Sequence, residues 1–310
     1  MQGYRAFGLT FSSDIPLEGW FSQSEFSEPD FSIRLASGFS RPPRSSDPRR
    51  GIYCLDADEK RCTLSWSGVA EVIVDSGKAI DILPVADADQ EALRLFISGA
   101  AVGVLLHQRG YLVLHGSAVD IERGAAAFIG PKGSGKSTTA IALQNAGHRV
   151  ISEELVALVP EAGGNSFVVL PSGCPVKVWG RVASAVEGTY GPLVPVRQGV
   201  DKYFVPPLSS DQSPAVVRQV YLLDVGDAIE IKRVAPIERF LHIAANLYVQ
   251  RFGTEFVQAV GASHAFKQIA TLVKGTAVLR LVRTNNLDQL RELSRFIASS
   301  FGCAEYQSAL

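Results

Sequence analysis

The chain has 310 residues, 46% of them hydrophobic and 20% charged, with a formal net charge of -1 at pH 7. This is the make-up of a globular protein with material for one large or two smaller domains, and it excludes the global basic field that draws proteins to nucleic acid or anionic membrane. Cys54, Cys62, Cys174 and Cys303 show neither C-x-x-C spacing nor a paired histidine motif, which excludes a zinc motif or a dense disulfide framework and predicts free thiols.

The first 30 residues hold no basic segment followed by an apolar run, so no secretion signal is read and the expected location is the cytoplasm. Over 1–85, short apolar runs alternate with turn residues (4–11, 31–35, 51–55, 61–66 and 71–74), which predicts a β-rich region. Residues 37–50 are rich in Ser, Pro and Arg and read as an exposed loop. Its Arg41, Arg44, Arg49 and Arg50 are read as solvated, with a local anion patch as the alternative. Asp87 and Asp89 offer N-caps to a helix reaching about Gln108, with Leu93, Phe96, Ile97, Val104 and Leu105 on its buried side and Gly110 as its stop. The apolar stretch 95–106 inside it is broken by Ser98, Gly99 and Gly103 and is too short to span a bilayer.

Residues 111–114 then predict a buried strand, followed by His115-Gly116, a second run 117–121, a turn, and the strand 125–129. A hairpin feeding that strand predicts a mixed sheet rather than a purely parallel one. After 129 comes Gly130-Pro131-Lys132-Gly133-Ser134-Gly135-Lys136-Ser137, the full G-x-x-x-x-G-K-[ST] spacing between a strand and a helix. Glycines there let successive backbone N–H groups turn toward phosphate oxygens, and the helix N-terminus adds partial positive charge. Lys136 would reach the outer phosphates, Ser137 would ligate Mg²⁺, and Thr138 follows at the start of the helix. Gly147 caps that helix. A short strand 149–151 ends in Ser152-Glu153-Glu154, and 155–159 with 167–170 predict a hairpin. Residues 171–207, rich in Gly and Pro, read as loops around a site. The run 216–223 predicts a strand paired with 229–233. Helices are predicted over 236–250 and 254–273, a strand over 277–282, and a closing helix facing inward with Leu287, Leu290, Leu293, Phe296 and Ile297.

A phosphate loop alone does not separate kinase from GTPase, motor or nucleotide-gated binder, so its neighbours have to decide. Glu153 and Glu154 stand at a strand end beside the loop, where one carboxylate could hold Mg²⁺ and the other take a proton from an attacking hydroxyl. His115, read as ending a strand near the loop, could bind phosphate or carry a proton. Asp224 ends an apolar run and superficially matches a Mg²⁺-holding aspartate, but Gly226-Asp227 favours a turn. Lys177, Arg181, Arg197 and Lys202 could neutralise phosphate or an acidic substrate.

Leu114-His115-Gly116-Ser117-Ala118-Val119, the loop 130–137, Gly147-His148-Arg149 and the acidic pair together resemble the HPr kinase/phosphorylase family. That family phosphorylates a protein serine from ATP and shares its fold with phosphoenolpyruvate carboxykinases. The chain resembles still more the HPr-kinase-related enzymes of lasso-peptide and other ribosomal-peptide pathways, through Tyr4-Arg5-Ala6-Phe7-Gly8-Leu9, Leu105-Leu106-His107-Gln108-Arg109-Gly110, the segment 170–179 and Asp201-Lys202. The resemblance implies an α/β fold: a phosphate-loop kinase domain with a mixed sheet over 86–310, plus the N-terminal β-rich region 1–85. It implies ATP and Mg²⁺ as cofactors. Gly130, Pro131, Lys132, Gly133, Ser134, Gly135, Lys136, Ser137 and Thr138 would form the cradle, Ser137 and Glu154 would hold the metal, and His115, Lys136, Glu153 and Glu154 would be catalytic. The implied partner is a peptide or small protein offering a serine, with no nucleic acid and no membrane involved; a homo-oligomer is compatible with the reading. The family has Asp-Asp where Glu153-Glu154 stands, and a shift of about 1 Å in a catalytic group can cost about 10²-fold in rate. A nucleotide-binding scaffold and a small-metabolite kinase are the competing readings.

Overall fold

The computed structural model describes residues 1–17, 20–22, 28–36, 51–122, 124–164, 166–259 and 262–303. The arginine-bearing loop 37–50 lies outside them. Contacts divide the chain into two compact units, Met1–Val113 with Tyr248–Ala265, and Leu114–Leu247 with Phe266–Leu310. Segment 1–85 thus falls wholly in the first unit, and the helical stretch after it groups with that unit rather than with the phosphate loop.

The first unit carries β1 (Gln2–Ala6), β2 (Leu9–Ser13), β3 (Phe21–Ser22), β4 (Phe31–Leu35), β5 (Ile52–Ala57), β6 (Arg61–Trp66), β7 (Ala70–Asp75) and β8 (Ala79–Pro84). They form one sheet in the order β3-β1-β2-β4-β8-β7-β6-β5, antiparallel except at β2–β4 and β4–β8. Alternation explains the inward face: Cys62 and Leu64, Val72 and Val74, and Ile80 and Ile82 are all buried. Phe11 stacks on both Tyr4 and Phe31. The predicted helix is present, capped by Asp89, whose carboxylate accepts from the N–H groups of Glu91 and Ala92. It runs as α1 (Gln90–Phe96), a π-helical turn at Ile97–Ala101, and α2 (Val102–Gln108), with Gly110 at φ +81 closing it. Among the described residues, no helix is long and apolar enough to cross a membrane.

The second unit is mixed α/β. Its strands are β9 (Leu112–Asp120, entering from the first unit), β10 (Ala125–Ile129), β11 (Arg149–Pro160), β12 (Phe167–Leu170), β13 (Val176–Trp179), β14 (Val194–Pro195), β15 (Lys202–Val205), β16 (Ala215–Val225), β17 (Glu230–Arg233) and β18 (Ala277–Arg283). Its helices are α3 (Lys136–Asn145), α4 (Gly180–Tyr190), α5 (Pro236–Ala245) and, after α6 (Thr254–Ala259) in the first unit, α7 (Ala262–Gly275) and α8 (Leu290–Ser300). The main sheet has the order β10-β9-β11-β12-β16-β18-β17, and a further β10–β16 pairing closes a ring through its first five strands. β10, β16 and β18 run parallel while β9–β10 is antiparallel, so the mixed sheet expected from the sequence is present. On one face, Phe128, Tyr221, Leu223, Leu279 and Leu281 pack against Ala140 and Leu143 of α3 and Leu293 and Ile297 of α8. The other side of α3, at Ile141, packs on Val176, Val178, Val182, Val186 and Val205. The helix behind the loop is therefore buried on two sides, which fixes where its N-terminus stands.

The two runs around His115-Gly116 are one continuous strand, because Gly116 lets β10 come close: a Cβ there would lie 2.6 Å from the Phe128 carbonyl oxygen. The short strand at 149–151 is the start of the twelve-residue β11, so the glutamates lie within a strand and not at its end. Residues 171–207 are not merely loops; they build the sheet β13-β15-β14 and α4, whose valines cover α3. β17 pairs with β18, not β16, because β10, β12 and β18 occupy the flanks of β16. The helix expected over 236–250 stops at Ala245 and gives way to a 3-10 turn, Tyr248–Phe252; Gly253 at φ +98 then separates it from α6.

Candidate active site

The loop leaves β10 at Gly130, where the parallel strands β10, β16 and β18 end, the edge at which open α/β sheets bind ligands. Two glycines are required there. At Gly130 (φ +153) an added Cβ would stand 2.9 Å from Ser134 Oγ, and at Gly135 (φ +94) it would stand 1.8 Å from Arg283 Nη2. Pro131, Lys132 and Gly133 are exposed, Ser134 is buried, and Ser137 and Thr138 are half-buried on the first turn of α3. Lys136 is only 8% exposed. Its Nζ curls back to donate to the carbonyls of Gly130 (2.8 Å) and Pro131 (3.0 Å), and burial, partly opposed by Glu153, pushes its ammonium down to about 8.

Ser137 Oγ donates to Glu153 Oε1 at 2.8 Å. Glu153 is also 8% exposed, and its Oε2 is buried with no hydrogen-bond partner. Burial, reinforced by the neighbouring Glu154 charge, raises its carboxyl above the usual range despite Lys177. Glu154 is set apart by its backbone: φ is +66 within a strand, a left-handed conformation that costs a non-glycine residue about 1–3 kcal/mol. The Ser152 hydroxyl donates to the Leu155 carbonyl across this kink. As a result the adjacent glutamates do not simply alternate across a flat strand. Glu153 meets the loop helix, while Glu154 forms an ion pair with Lys177 of β13. Burial works against the Lys177 ammonium, but the charges of Glu154 and Glu153 outweigh it and raise its pKa. Lys202 adds a positive charge felt by both Lys136 and Glu153, and lies over the Trp179 ring at 5.3 Å.

His115 lies one residue before the last β9–β10 pair, Gly116 with Ile129, and so is level with the loop entrance. Its N–H donates to the Asn246 carbonyl at 2.8 Å. It stands within a strand, not at a strand end. Asp224 is not brought to the loop helix. It shares a strand face with Leu222, opposite the Tyr221 and Leu223 face that packs on α3, and it pairs with Arg280 at 3.1 Å. Cys174 stays a neutral thiol, pushed up to about 12 by burial.

Sequence reasoning missed Arg283. This last residue of β18 is 2% exposed, and its Nε donates to the Ser134 carbonyl at 3.0 Å. Its only signal in the sequence is a second arginine in an otherwise apolar strand, Val278-Leu279-Arg280-Leu281-Val282-Arg283. That pattern does not tell an inward arginine from an outward one.

The residues fit a nucleotide with Mg²⁺. A hydroxyl and a carboxylate share one spot, with a second carboxylate oxygen unpartnered, and hard oxygens of this kind suit Mg²⁺ when phosphate oxygens complete its shell. Among the described residues, no group of three or more His, Cys, Asp or Glu could hold a metal alone. A shared cation of this sort needs no such group.

No family model matches the chain, and no curated protein matches it. Among solved structures, it is similar to the HPr(Ser) kinase/phosphatase from Coxiella burnetii. The identity is 12% and the TM-score 0.30, over 60% of this chain and 91% of that one. A match of that strength carries no functional argument.

Proposed function

We propose that the chain is an ATP- and Mg²⁺-dependent kinase that phosphorylates a hydroxyl, a serine on a peptide or small protein. The observation that carries the reading is the meeting of three parts: a complete phosphate loop, Ser137 hydrogen-bonded to Glu153, and a second carboxylate, Glu154, held one residue further on by Lys177. Bound Mg²⁺ would neutralise charge on the phosphates, and Ser137 with Glu153 would hold it. This assigns the metal to Glu153 rather than Glu154, because Glu153 is the one that reaches Ser137. Lys136 exchanges its two loop carbonyls for phosphate oxygens when the nucleotide enters. Glu154 accepts the proton as the serine oxygen bonds to the γ-phosphorus and the bond to ADP breaks. Lys177, paired with Glu154, holds its carboxylate in place until then. His115, level with the loop entrance, is suited to donate to the transferring phosphoryl group. Catalysis is then mainly positioning and charge stabilisation. The sequence resemblance to kinases of ribosomal-peptide pathways supports a precursor peptide, such as that of a lasso peptide, as acceptor.

The test is incubation with Mg-ATP and serine-containing precursor peptides, read by mass spectrometry. The expected result is a gain of one phosphoryl group, abolished in Lys136→Ala. In Glu154→Asn, which suits a left-handed backbone but lacks the carboxylate, transfer should fall about 10²–10⁴-fold with Mg-ATP still bound. Nucleotide binding with no transfer to any peptide would favour the scaffold. Transfer only to hydroxylated small molecules would favour a metabolite kinase.

A further inference from the structure

Arg283 is a buried cation with an unusual set of neighbours. Its Nε donates to the Ser134 carbonyl (3.0 Å) and its Nη1 to the Thr284 carbonyl (2.8 Å), and among the described residues no carboxylate is its partner. Nη2 fills the space beside Gly135, where a Cβ would stand only 1.8 Å away. Gly135 is thus required by an arginine 148 positions later in the chain as well as by its own φ of +94. The charge bearing on Arg283 is a like one, Arg181, whose Nη2 donates to Asn285 Oδ1 at 3.1 Å. Burying a guanidinium without a counter-charge is costly, and two carbonyl acceptors recover only part of that cost. Its neighbours at Ser134 and Gly135 are the residues that lead into the first turn of α3, where the helix end already favours an anion.

Resting on the nucleotide reading above, we propose that Arg283 belongs to the polyphosphate-binding machinery as a positioning residue. It braces the outer side of the phosphate loop from β18 and supplies a positive charge that remains uncompensated until polyphosphate arrives. The bound polyphosphate is then its counter-charge. An arginine of purely structural use would be interchangeable with a neutral side chain as far as anion affinity is concerned.

The experiment measures the dissociation constant of Mg-ATP, at several salt concentrations, for the wild-type chain, Arg283→Lys, Arg283→Gln and Arg283→Met. Folding is checked by circular dichroism, and either neutral variant suffices if the other does not fold. The lysine variant, which keeps the charge, is expected to bind within about threefold of wild type. The neutral variants are expected to lose about tenfold or more in affinity and to show a shallower salt dependence, as removal of one nearby charge requires. Neutral variants that bind like wild type would overturn the inference, and so would equal losses in the lysine and neutral variants. A wild-type chain that fails to bind Mg-ATP would instead overturn the nucleotide reading on which the inference rests.

Discussion

At the scale of single residues, burial moves both Glu153 and Lys136 away from their ordinary protonation range. Burial raises the Glu153 carboxyl, so this residue contributes full stability below the unfolded glutamate pKa and loses that contribution as pH rises through its raised folded value. Glu153→Gln removes the charge and keeps an acceptor for Ser137. Its thermal midpoint is expected to exceed wild type at pH 8 by more than at pH 5, while phosphoryl transfer drops at least about 10²-fold. Unchanged midpoints at both pH values would show that the burial argument is wrong. Lys136 runs the other way. Burial holds its ammonium down to about 8, whereas bound polyphosphate favours the charged form. Mg-ATP affinity should therefore be full below pH 8 and weaken above it, and calorimetric titration across pH 7 to about 9.5 reads this directly. A flat profile would mean that Lys136 is not the residue meeting phosphate.

At the scale of elements, the contact between β9 and β10 sets the loop entrance. Gly116 is where it is tightest, since a side chain would meet the backbone oxygen of Phe128, which cannot swing aside. Gly116→Ala is expected to cost about 1–3 kcal/mol in urea unfolding and to weaken nucleotide binding by shifting His115 and Gly130 together. A variant as stable as wild type would show that the two strands separate without cost. The same elements show what could be read from the sequence. The loop, its flanking strand and helix, the cap at Asp89 and the hairpin β11–β12 were legible because each has a local signature: glycine spacing, a capping carboxylate, alternation between turns. The single strand through His115-Gly116 was not, because a glycine that permits close approach of a neighbour looks the same as one that ends a strand. Nor was the kink at Glu154, since nothing about a glutamate announces φ +66. Covering α3 with β13, β15 and α4 depends on scattered valines that meet only in three dimensions.

At the scale of the whole molecule, the chain crosses between its two units at 113/114, 247/248 and 265/266. The first unit is therefore not a detachable N-terminal half. Within it, Leu93, Phe96, Ile97, Val104 and Leu105 on the helical stretch are at most 1% exposed, and α2 packs on β7 and β8. The later segment adds Tyr248, Val249, Phe256 and Val257, all buried, with α6 against β5. Deleting residues 1–85 removes every strand of this sheet and leaves both apolar surfaces uncovered, far more than an isolated exposed side chain. A chain of residues 86–310 is thus expected to bind a hydrophobic dye and to unfold without a single cooperative transition, even though its phosphate loop is intact. The full chain should give a cooperative transition whose midpoint rises with Mg-ATP concentration, as binding to the folded state alone requires. If residues 86–310 instead unfolded cooperatively and showed the same Mg-ATP shift, the sheet would be dispensable to the unit that carries the phosphate loop, and the packing of α1 and α2 would not depend on it.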